Sequence, residues 1–423
     1  MLQLTFNGAI NEVGRSAILV DTGIERILLD YGSNINEVPP LHPREIVGNI
    51  DALFLSHAHL DHSGSIPLLF RKGMEFPVYG LGITKRLTKL LLEDTIKIAK
   101  REGYHPGFEK RDVRKTMRNF VSIRYREPIK LKETKVTLIH AGHIPGSSMI
   151  LIETKDKNIL YTGDFNDRDT MLLEKYDLKK LPNIDILITE STYANREHPD
   201  RKKVEHEFVK LVNETCSNDG ISLVTGFAVG RLQELLLVLD EYNVDWPIYM
   251  DGMGIKALRI ICDYPQLLRE YERLRKLSKK INFVKRGSMR KKIIKRPCVI
   301  LTTSGMLSGG PVVEYIKRLH DRRDSTLFLT GFQVKNTPGR ILLQTGRYIN
   351  PNEALDLKVK MMVKYLDFSA HVGRSGLFKT IEKLNPSKIF CIHGDDTFGF
   401  AKELCEMGYN AIAPAFMGES FTI

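Results

Sequence analysis

Short apolar runs separated by glycine-containing loops recur along the chain, and each run has the length of a buried β-strand. Early examples are Ala52–Leu55 and Val136–Ile139, and Ile389–Ile392 is a late one. Apolar runs of this length, bounded by turn residues, are typical of strands buried in a sheet. The pattern therefore predicts an α/β protein in which loops at strand ends are available for chemistry.

A second set of apolar runs lies within residues 192–366, and a glycine-rich loop and a helical pattern follow each run. The loops begin at Gly226, Asp251, Ser304 and Gly331. Repeated strand–loop–helix units predict a parallel, Rossmann-like α/β sheet. Such loops expose backbone N–H groups to anions, although a tight turn explains any single glycine equally well. The residues predicted to contact phosphate are Ser304, Gly305, Arg231, Lys335 and Arg340.

Candidate metal ligands stand where strands of the first set end. An HxHxDH run, His57, His59, Asp61 and His62, follows the run that ends at residue 55. Residues two apart on a strand end point the same way, and imidazole and carboxylate are ligands that zinc accepts. Four such ligands suit a pair of zinc ions but do not complete two sites. The remaining candidates each follow an apolar run and lie beside a glycine: His143, Asp164 and His393.

These motifs, in this order, resemble those of the metallo-β-lactamase superfamily, whose first motif is matched by Asp30. The resemblance implies an αββα sandwich of two sheets in residues 1–191 and 367–423, with an inserted domain at 192–366. It implies one zinc ion on His57, His59, His143 and Asp164, and a second on Asp61, His62, Asp164 and His393. Asp30 is then expected to orient the ligand loops through hydrogen bonds rather than to bind metal.

The inserted domain resembles the β-CASP domain of the superfamily's nucleic-acid-processing members. Glu190 matches the family's motif A, His371 motif B and His393 motif C. The resemblance is strongest to archaeal relatives of the 73-kilodalton subunit of the cleavage and polyadenylation specificity factor, and RNase J is more distant. It implies a two-zinc ribonuclease that hydrolyses phosphodiester bonds of single-stranded RNA. His371 would be the general acid, Glu190 would orient it, and Asp61 could orient the attacking hydroxide.

Endonuclease activity is favoured, and 5′–3′ exonuclease activity stays open. RNase J binds a 5′ monophosphate through a serine- and glycine-rich loop, whereas bulky residues occupy the corresponding segment 331–336. An inactive RNA-processing scaffold, a small-molecule hydrolase and a DNA nuclease are alternatives. The complete ligand set argues against the scaffold, and the long insertion argues against the small-molecule hydrolase. His393, where some DNA-repair members have valine, favours RNA over DNA.

The net charge of +12 is concentrated in one part of the sequence. Residues 269–296, the basic stretch, contain 13 Lys or Arg and 2 Glu, so the rest of the chain carries 50 basic and 49 acidic residues. A concentrated basic segment is the electrostatic footprint expected for a polyanion such as RNA. A solvated basic helix without a partner is the alternative.

The five cysteines are scattered without a CxxC motif, which predicts reduced thiols and a cytoplasmic protein. No run of 18 apolar residues occurs, so no membrane association is expected. Ala413–Phe416 is apolar enough to leave a homodimer through the C-terminal region open.

Overall fold

A computed structural model describes residues 2–35 and 37–423, which form two compact units. The first unit comprises Met1–Asp169, Glu174–Glu197 and Ala370–Ile423. The second comprises Thr170–Leu173 and His198–Ser369. The chain therefore leaves the first unit, builds nearly all of the second, and then returns to complete the first.

The first unit opens with strands and helices that alternate irregularly. Its strands are β1 (Gln3–Phe6), β2 (Ile18–Asp21), β3 (Arg26–Leu29), β4 (Ala52–Phe54), β5 (Val78–Leu81), β6 (Phe120–Ile123), β7 (Ile129–Lys130), β8 (Lys135–His140), β9 (Ser148–Glu153), β10 (Asn158–Tyr161) and β11 (Ile186–Glu190). Its helices are α1 (Leu60–Ser63), α2 (Ile66–Arg71), α3 (Gly82–Glu102) and α4 (Lys110–Arg118).

The second unit alternates strands and helices more regularly. Its helices are α5 (Arg201–Ser217), α6 (Arg231–Glu241), α7 (Gly254–Ile261), α8 (Tyr271–Lys280), α9 (Arg290–Ile293), α10 (Pro311–Leu319) and α11 (Pro338–Thr345). Its strands are β12 (Ile221–Thr225), β13 (Ile248–Met250), β14 (Asn282–Phe283), β15 (Cys298–Thr302), β16 (Thr326–Leu329), β17 (Arg347–Asn350), β18 (Leu355–Lys358) and β19 (Met362–Tyr365). Short 3₁₀ turns lie at Pro265–Leu267, Gly287–Met289 and Pro351–Glu353.

The chain then returns to the first unit. This last part contributes α12 (Arg374–Leu384), β20 (Lys388–Ile392), α13 (Thr397–Glu406), β21 (Ala411–Ile412) and β22 (Glu419–Thr422).

Two mixed sheets form the centre of the first unit. One has the order β22-β1-β2-β3-β4-β5-β6, and the other has the order β21-β20-β11-β10-β9-β8-β7. The rings of Phe6 in the first sheet and Phe390 in the second lie 4.9 Å apart, so the sheets pack against each other. Apolar residues of α2 cover the first sheet, and apolar residues of α12 and α13 cover the second. The predicted layering of helix, sheet, sheet and helix is therefore found.

The second unit is organised around a six-stranded sheet with the order β14-β13-β15-β12-β16-β19. Each of its strand pairs is parallel, and the register runs, for example, from Ile221 opposite Cys298 to Thr225 opposite Thr302. The strands β12 and β15 are buried at every position, and their sequences are mostly apolar rather than alternating, as expected for strands covered on both faces. The predicted parallel α/β sheet is confirmed.

Among the helices of the described residues, none combines the length and the hydropathy that crossing a bilayer requires.

Candidate metal centre

Two groups of potential metal ligands form in the first unit, and both include Asp164. In each group, one ligand atom from every residue lies within 4.8 Å of the others. The first group is His57, His59, His143 and Asp164, and the second is Asp61, His62, Asp164 and His393. The structure thus brings together every residue that the sequence nominated for metal binding.

Loops at the ends of strands supply these side chains. His57 and His59 lie in the connection between β4, which ends at Phe54, and α1, which begins at Leu60. The pair is therefore on a loop rather than on the strand itself, yet its rings still lie only 5.0 Å apart. Nε2 of His143 comes within 3.2 Å of Nδ1 of His59. The loop after β4 and the loop after β8 therefore bring these three imidazoles close together.

The loop geometry depends on Gly32, which packs beneath the α1 turn. A Cβ atom at this position would lie 1.7 Å from the carbonyl oxygen of Asp61. No side chain larger than hydrogen fits there, since such a separation is far below van der Waals contact. Gly32 therefore fixes how closely the HxHxDH turn approaches the end of β3.

Several of the histidines have one ring nitrogen engaged on the side away from the centre. Nδ1 of His143 lies 2.9 Å from the carbonyl oxygen of Ala370, and Nδ1 of His62 lies 2.7 Å from Oδ2 of Asp30. With Nδ1 donating, Nε2 of the neutral imidazole keeps its lone pair and faces the centre. Metal-binding histidines are commonly oriented in this way by a carbonyl or carboxylate partner.

The carboxylate of Asp30 lies at the centre of a buried hydrogen-bond network. Its Oδ1 accepts from the backbone N–H of Ser56 at 2.7 Å, and its Oδ2 accepts from Ser56 Oγ at 2.6 Å and Tyr161 OH at 2.8 Å. His62 Nδ1 is the further donor to Oδ2. Asp30 adopts a left-handed backbone conformation with φ of 57°, which is unusual for a non-glycine residue. This arrangement has the features expected of a residue that holds the ligand loops.

The inner atoms of the two groups suit a cation. Nε2 of His57, His62 and His393 and Oδ1 of Asp164 are buried, and within the described part of the chain none has a hydrogen-bond partner. Leaving buried polar atoms unmatched is unfavourable by roughly 1–3 kcal/mol each. Metal coordination would satisfy these lone pairs, so the residues present fit a metal pair. Their individual roles as ligands stay a prediction.

Burial and neighbouring charge set the protonation states of the metal-free centre. Burial lowers the pKa of His57 and His143 well below the ordinary value, and it lowers that of His59 to about 4. Burial alone would raise the pKa of Asp164, but the surrounding histidines His62, His393 and His371 hold it well below its usual range. Neutral imidazole and ionised carboxylate are the forms that bind divalent metal. His62 differs, because burial opposes its protonation but the charges of Asp164 and Asp30 raise its pKa well above the ordinary value, so metal binding would displace a proton from it.

His371 and Glu190 form a third group with Asp164. Nδ1 of His371 lies 2.9 Å from Oε2 of Glu190, and Nε2 of His371 lies 3.9 Å from Oδ2 of Asp164. Burial opposes protonation, but the charges of Glu190 and Asp164 prevail and raise the pKa of His371 to about 9. The other oxygen of Glu190 accepts from the backbone N–H of Phe165 at 2.8 Å. Glu190 is therefore fixed, and it orients the imidazole.

Comparison with known proteins extends this picture across the chain. Three family models match in order: a metallo-beta-lactamase superfamily domain at residues 12–192, a Beta-Casp domain at 232–342, and a Zn-dependent metallo-hydrolase RNA specificity domain at 356–414. "Probable RNase MJ4" of Methanocaldococcus jannaschii is 38% identical over the full length of both chains.

The chain belongs to the metallo-β-lactamase superfamily and to its β-CASP group.

Two further relatives are similar over most of this β-CASP chain. "RNase aCSPSF2" of Saccharolobus solfataricus is 36% identical over 96% of this chain and 82% of its own length. "Transcription termination factor FttA" of Methanocaldococcus jannaschii is 36% identical over 94% of this chain and 67% of its own length. A crystal structure of a protein of unknown function from Enterococcus faecalis V583 has the same fold, with a TM-score of 0.63 at 17% identity over the whole of both chains.

The residues predicted to contact phosphate all belong to the β-CASP unit. Ser304 and Gly305 follow β15, Arg231 begins α6 after β12, and Lys335 follows β16. Because β15, β12 and β16 are parallel neighbours, their following loops meet at one edge of the sheet. Arg231 is buried, whereas Lys335 and Arg340, the third residue of α11, are exposed. The structure gathers these loops, and phosphate contact stays a prediction.

Sequence reasoning missed the polar residues that support the metal centre of this β-CASP protein. Ser56 and Tyr161 donate to Asp30, and Thr192 Oγ1 lies 3.3 Å from Nδ1 of His393. Tyr161 could have been predicted to support the site, since it is a polar aromatic residue at the end of a buried strand, three residues before Asp164. Ser56 precedes the nominated His57, and Thr192 lies two residues after the nominated Glu190, but neither has a pattern of its own.

Proposed function

We propose that this chain is a two-zinc ribonuclease that hydrolyses phosphodiester bonds of single-stranded RNA and acts mainly as an endonuclease. The observation that carries the proposal is the sharing of Asp164 by two ligand groups, beside the His371–Glu190 pair. A carboxylate has two oxygens, so Asp164 can contact two ions at once. Paired metal ions are a recurrent solution for displacement at phosphorus.

When bound, two zinc ions supply Lewis acidity and lower the pKa of a water molecule towards neutrality. The chain's own residues do the remaining work. We assign to Asp61 the further role of accepting a hydrogen bond from the attacking water, and two observations support this: its carboxylate belongs to the second group, and its side chain is 27% exposed. The imidazoles of His57, His59 and His143, together with Asp164, would hold one of the two ions.

The leaving oxygen of the scissile phosphodiester needs a proton, and His371 is the proposed donor. Its Nδ1 is held by Glu190, so Nε2 is the atom that faces the group around Asp164. This is the geometry of a general acid whose tautomer is fixed by a carboxylate. Glu190 acts through His371 and is therefore a positioning residue.

RNA is the proposed substrate for reasons outside the metal centre. The chain matches a family model described as an RNA specificity domain, and two similar proteins are named as RNases. The basic stretch and the loops after β12, β15 and β16 suit a phosphate backbone. A small-molecule hydrolase has no need for a second α/β unit of this size.

Endonuclease activity is proposed because the loop after β16 is filled rather than open. Gln333 is buried, and its amide donates to the carbonyl oxygens of Gly305 at 3.0 Å and Gly331 at 2.9 Å. A loop closed in this way is a poor receptor for a terminal monophosphate. The test compares zinc-loaded protein on a circular RNA, a linear 5′-monophosphate RNA and a linear 5′-triphosphate RNA. Cleavage of the circle is expected, and an uncut circle with stepwise loss of 5′ nucleotides would contradict the endonuclease proposal.

Metal content distinguishes the proposed ribonuclease from the alternative, an inactive RNA-processing scaffold. Two zinc ions per chain are expected from inductively coupled plasma mass spectrometry, and their absence after zinc loading would favour the scaffold.

We place the protein in the cytoplasm because all five cysteines are free. Pairing of two chains through residues 413–416 stays a prediction, and replacement of Phe416, which is 60% exposed, would test it.

A further inference from the structure

The second half of the basic stretch forms a surface that contains none of the proposed metal ligands or catalytic residues. We name residues 285–296 the cation loop. It connects β14 to β15 and contains seven basic residues and no carboxylate. Six of the seven are exposed: Lys285, Arg286, Lys291, Lys292, Lys295 and Arg296. Within the described residues, none of the six forms an ion pair.

The seventh basic residue, Arg290, is an anchor rather than a free cation. Its Nε lies 2.7 Å from Oδ2 of Asp251, and a second guanidinium nitrogen lies 3.3 Å from Oδ1. Tyr315 donates to the same carboxylate at 2.9 Å. Asp251 is 2% exposed, so this contact ties the loop to the end of β13 inside the unit.

Further contacts hold the cation loop in place. Ile293 is buried in the hydrophobic cluster of the sheet, together with Val284 just before the loop. Arg322 donates to the carbonyl oxygen of Ile294 at 2.9 Å. The exposed cations are therefore carried on a backbone that is fixed at both ends. Less conformational entropy is lost when a ligand binds a surface that is already ordered.

The position of the loop relates it to the predicted phosphate contacts. Lys285 and Arg286 follow β14, and β14 runs parallel to β13, which runs parallel to β15. The start of the cation loop thus lies at the same sheet edge as the loops that begin at Gly226, Ser304 and Gly331. Two strand spacings, about 10 Å in all, separate β14 from β15. One extended polyanion can therefore contact the glycine-rich loops and the cation loop together.

Clustered like charges repel one another, and among the described residues no ion pair relieves this for the six exposed cations of the cation loop. A polyanion would neutralise these positive charges, and its own counterions would be released. The free-energy gain from that release falls as the salt concentration rises. We propose that the cation loop is an exosite that binds the phosphate backbone of RNA outside the catalytic centre. The choice of RNA over other polyanions rests on the proposed ribonuclease function.

The test is RNA binding in EDTA, measured by fluorescence anisotropy with a labelled, unstructured single-stranded RNA. The triple variant Lys285→Gln, Lys291→Gln, Lys292→Gln removes three cations of the loop while keeping side-chain length. The matched control is Lys202→Gln, Lys203→Gln, Lys210→Gln on α5, which makes the same charge change at exposed positions of the same unit.

The loop variant is expected to bind RNA about tenfold more weakly than the wild type. Its plot of log affinity against log salt concentration should also have a slope that is shallower by about 2, because each of the three lost phosphate contacts contributes roughly 0.7. The control should match the wild type. Equal binding by the loop variant and the wild type would overturn the proposal, as would equal losses in both triple variants. Tighter binding of polyglutamate than of RNA, lost in the loop variant, would assign the surface to an acidic protein instead.

The measurement separates this proposal from the ribonuclease proposal. Binding in EDTA requires no cleavage, so it remains readable if the metal-loaded protein cuts no RNA. An exosite without cleavage would contradict the ribonuclease proposal alone, and cleavage without an exosite would contradict the exosite alone.

Discussion

Glu190 Oε2 lies 2.9 Å from Nδ1 of His371, although the two residues are 181 positions apart in the chain. Glu190 ends β11, and His371 lies in the loop before α12, just after the chain has returned from the second unit. The carboxylate is buried and is also held by the backbone N–H of Phe165. The orientation of His371 is therefore set by a rigid strand end.

Replacing His371 with alanine should remove most turnover while leaving metal content unchanged. General-acid catalysis by a positioned side chain contributes roughly 10²- to 10⁴-fold, so a loss in that range is expected. Single-turnover cleavage of a labelled RNA and metal analysis of the same preparation measure the two quantities. A variant with wild-type cleavage would show that His371 is not the acid. A variant with less metal would show that it acts as a ligand.

Glu190→Gln should reduce cleavage less than His371→Ala does. The amide keeps the shape of the carboxylate and one acceptor oxygen, but it loses the charge that favours the protonated imidazole. Cleavage rates of the two single variants and of the double variant form the measurement. Because Glu190 acts through His371, the double variant should be no slower than His371→Ala. A further loss in the double variant would mean that Glu190 has an independent role.

Asp164→Asn should lower the metal content more than any other single change in the centre. Asp164 belongs to both ligand groups, whereas His143 belongs to the first and His393 to the second. His143→Ala is therefore expected to lose the zinc ion of the first group more readily than that of the second. His393→Ala should show the reverse order. Zinc content after dialysis against a graded series of chelator concentrations gives the comparison. Equal losses in all three variants would contradict the sharing of Asp164.

Tyr161→Phe should destabilise the metal-free protein by about 2 kcal/mol. The change removes a hydrogen bond to the buried carboxylate of Asp30, and bonds to charged groups are worth roughly 1.5–3 kcal/mol. Urea denaturation in EDTA measures the free energy of unfolding. Tyr79→Phe is the control, because its hydroxyl makes no hydrogen bond to the described residues and its ring stacks on Phe54. A similar cost in both variants would mean that the hydroxyl of Tyr161 adds nothing.

Asp51 should contribute a pH-dependent part of the stability. Its burial opposes ionisation, but hydrogen bonds from Lys132 and the backbone of Arg26 outweigh this and lower its pKa. A lowered folded-state pKa stabilises the protein above the unfolded-state value of about 3.9, and the gain disappears as pH falls through the folded-state pKa. Asp51→Asn should cost up to about 1 kcal/mol near neutral pH and less near pH 3.

The control for this prediction is Asp156→Asn, an exposed aspartate in the turn before β10 that forms no ion pair with the described residues. Its unfolding free energy should follow the wild type at both pH values. A cost for Asp51→Asn that is the same at both values would contradict the assignment.

Much of the fold and of the metal centre could be predicted because short-range patterns carry the information. The HxHxDH turn predicts its own geometry, since four ligands within six residues can converge through one tight connection. Mostly apolar runs such as Ile221–Thr225 predict strands buried on both faces, and the structure contains them as parallel neighbours. The assembly of His143, Asp164 and His393 was predictable because each ends or follows a buried strand.

Other features depend on contacts between distant segments that leave no local pattern. Thr170–Leu173 joins the second unit because Glu234 accepts hydrogen bonds from the backbone of Met171 at 3.0 Å and Leu172 at 2.7 Å. The sequence of α6 does not show which backbone N–H groups the buried carboxylate of Glu234 will bind. For the same reason, the donors to Asp30 were not foreseen. Such pairings are decided by tertiary packing rather than by propensity.

The pairing of β11 with β20 places Glu190 opposite Ile392, so neighbouring strands of one sheet are synthesised on either side of residues 198–369, which are nearly all of the second unit. During translation the second unit can therefore be complete before its host has a full sheet. A nascent chain that ends before residue 371 has the HxHxDH turn but lacks both His371 and His393. The candidate metal centre is therefore complete only after residue 393 has been synthesised.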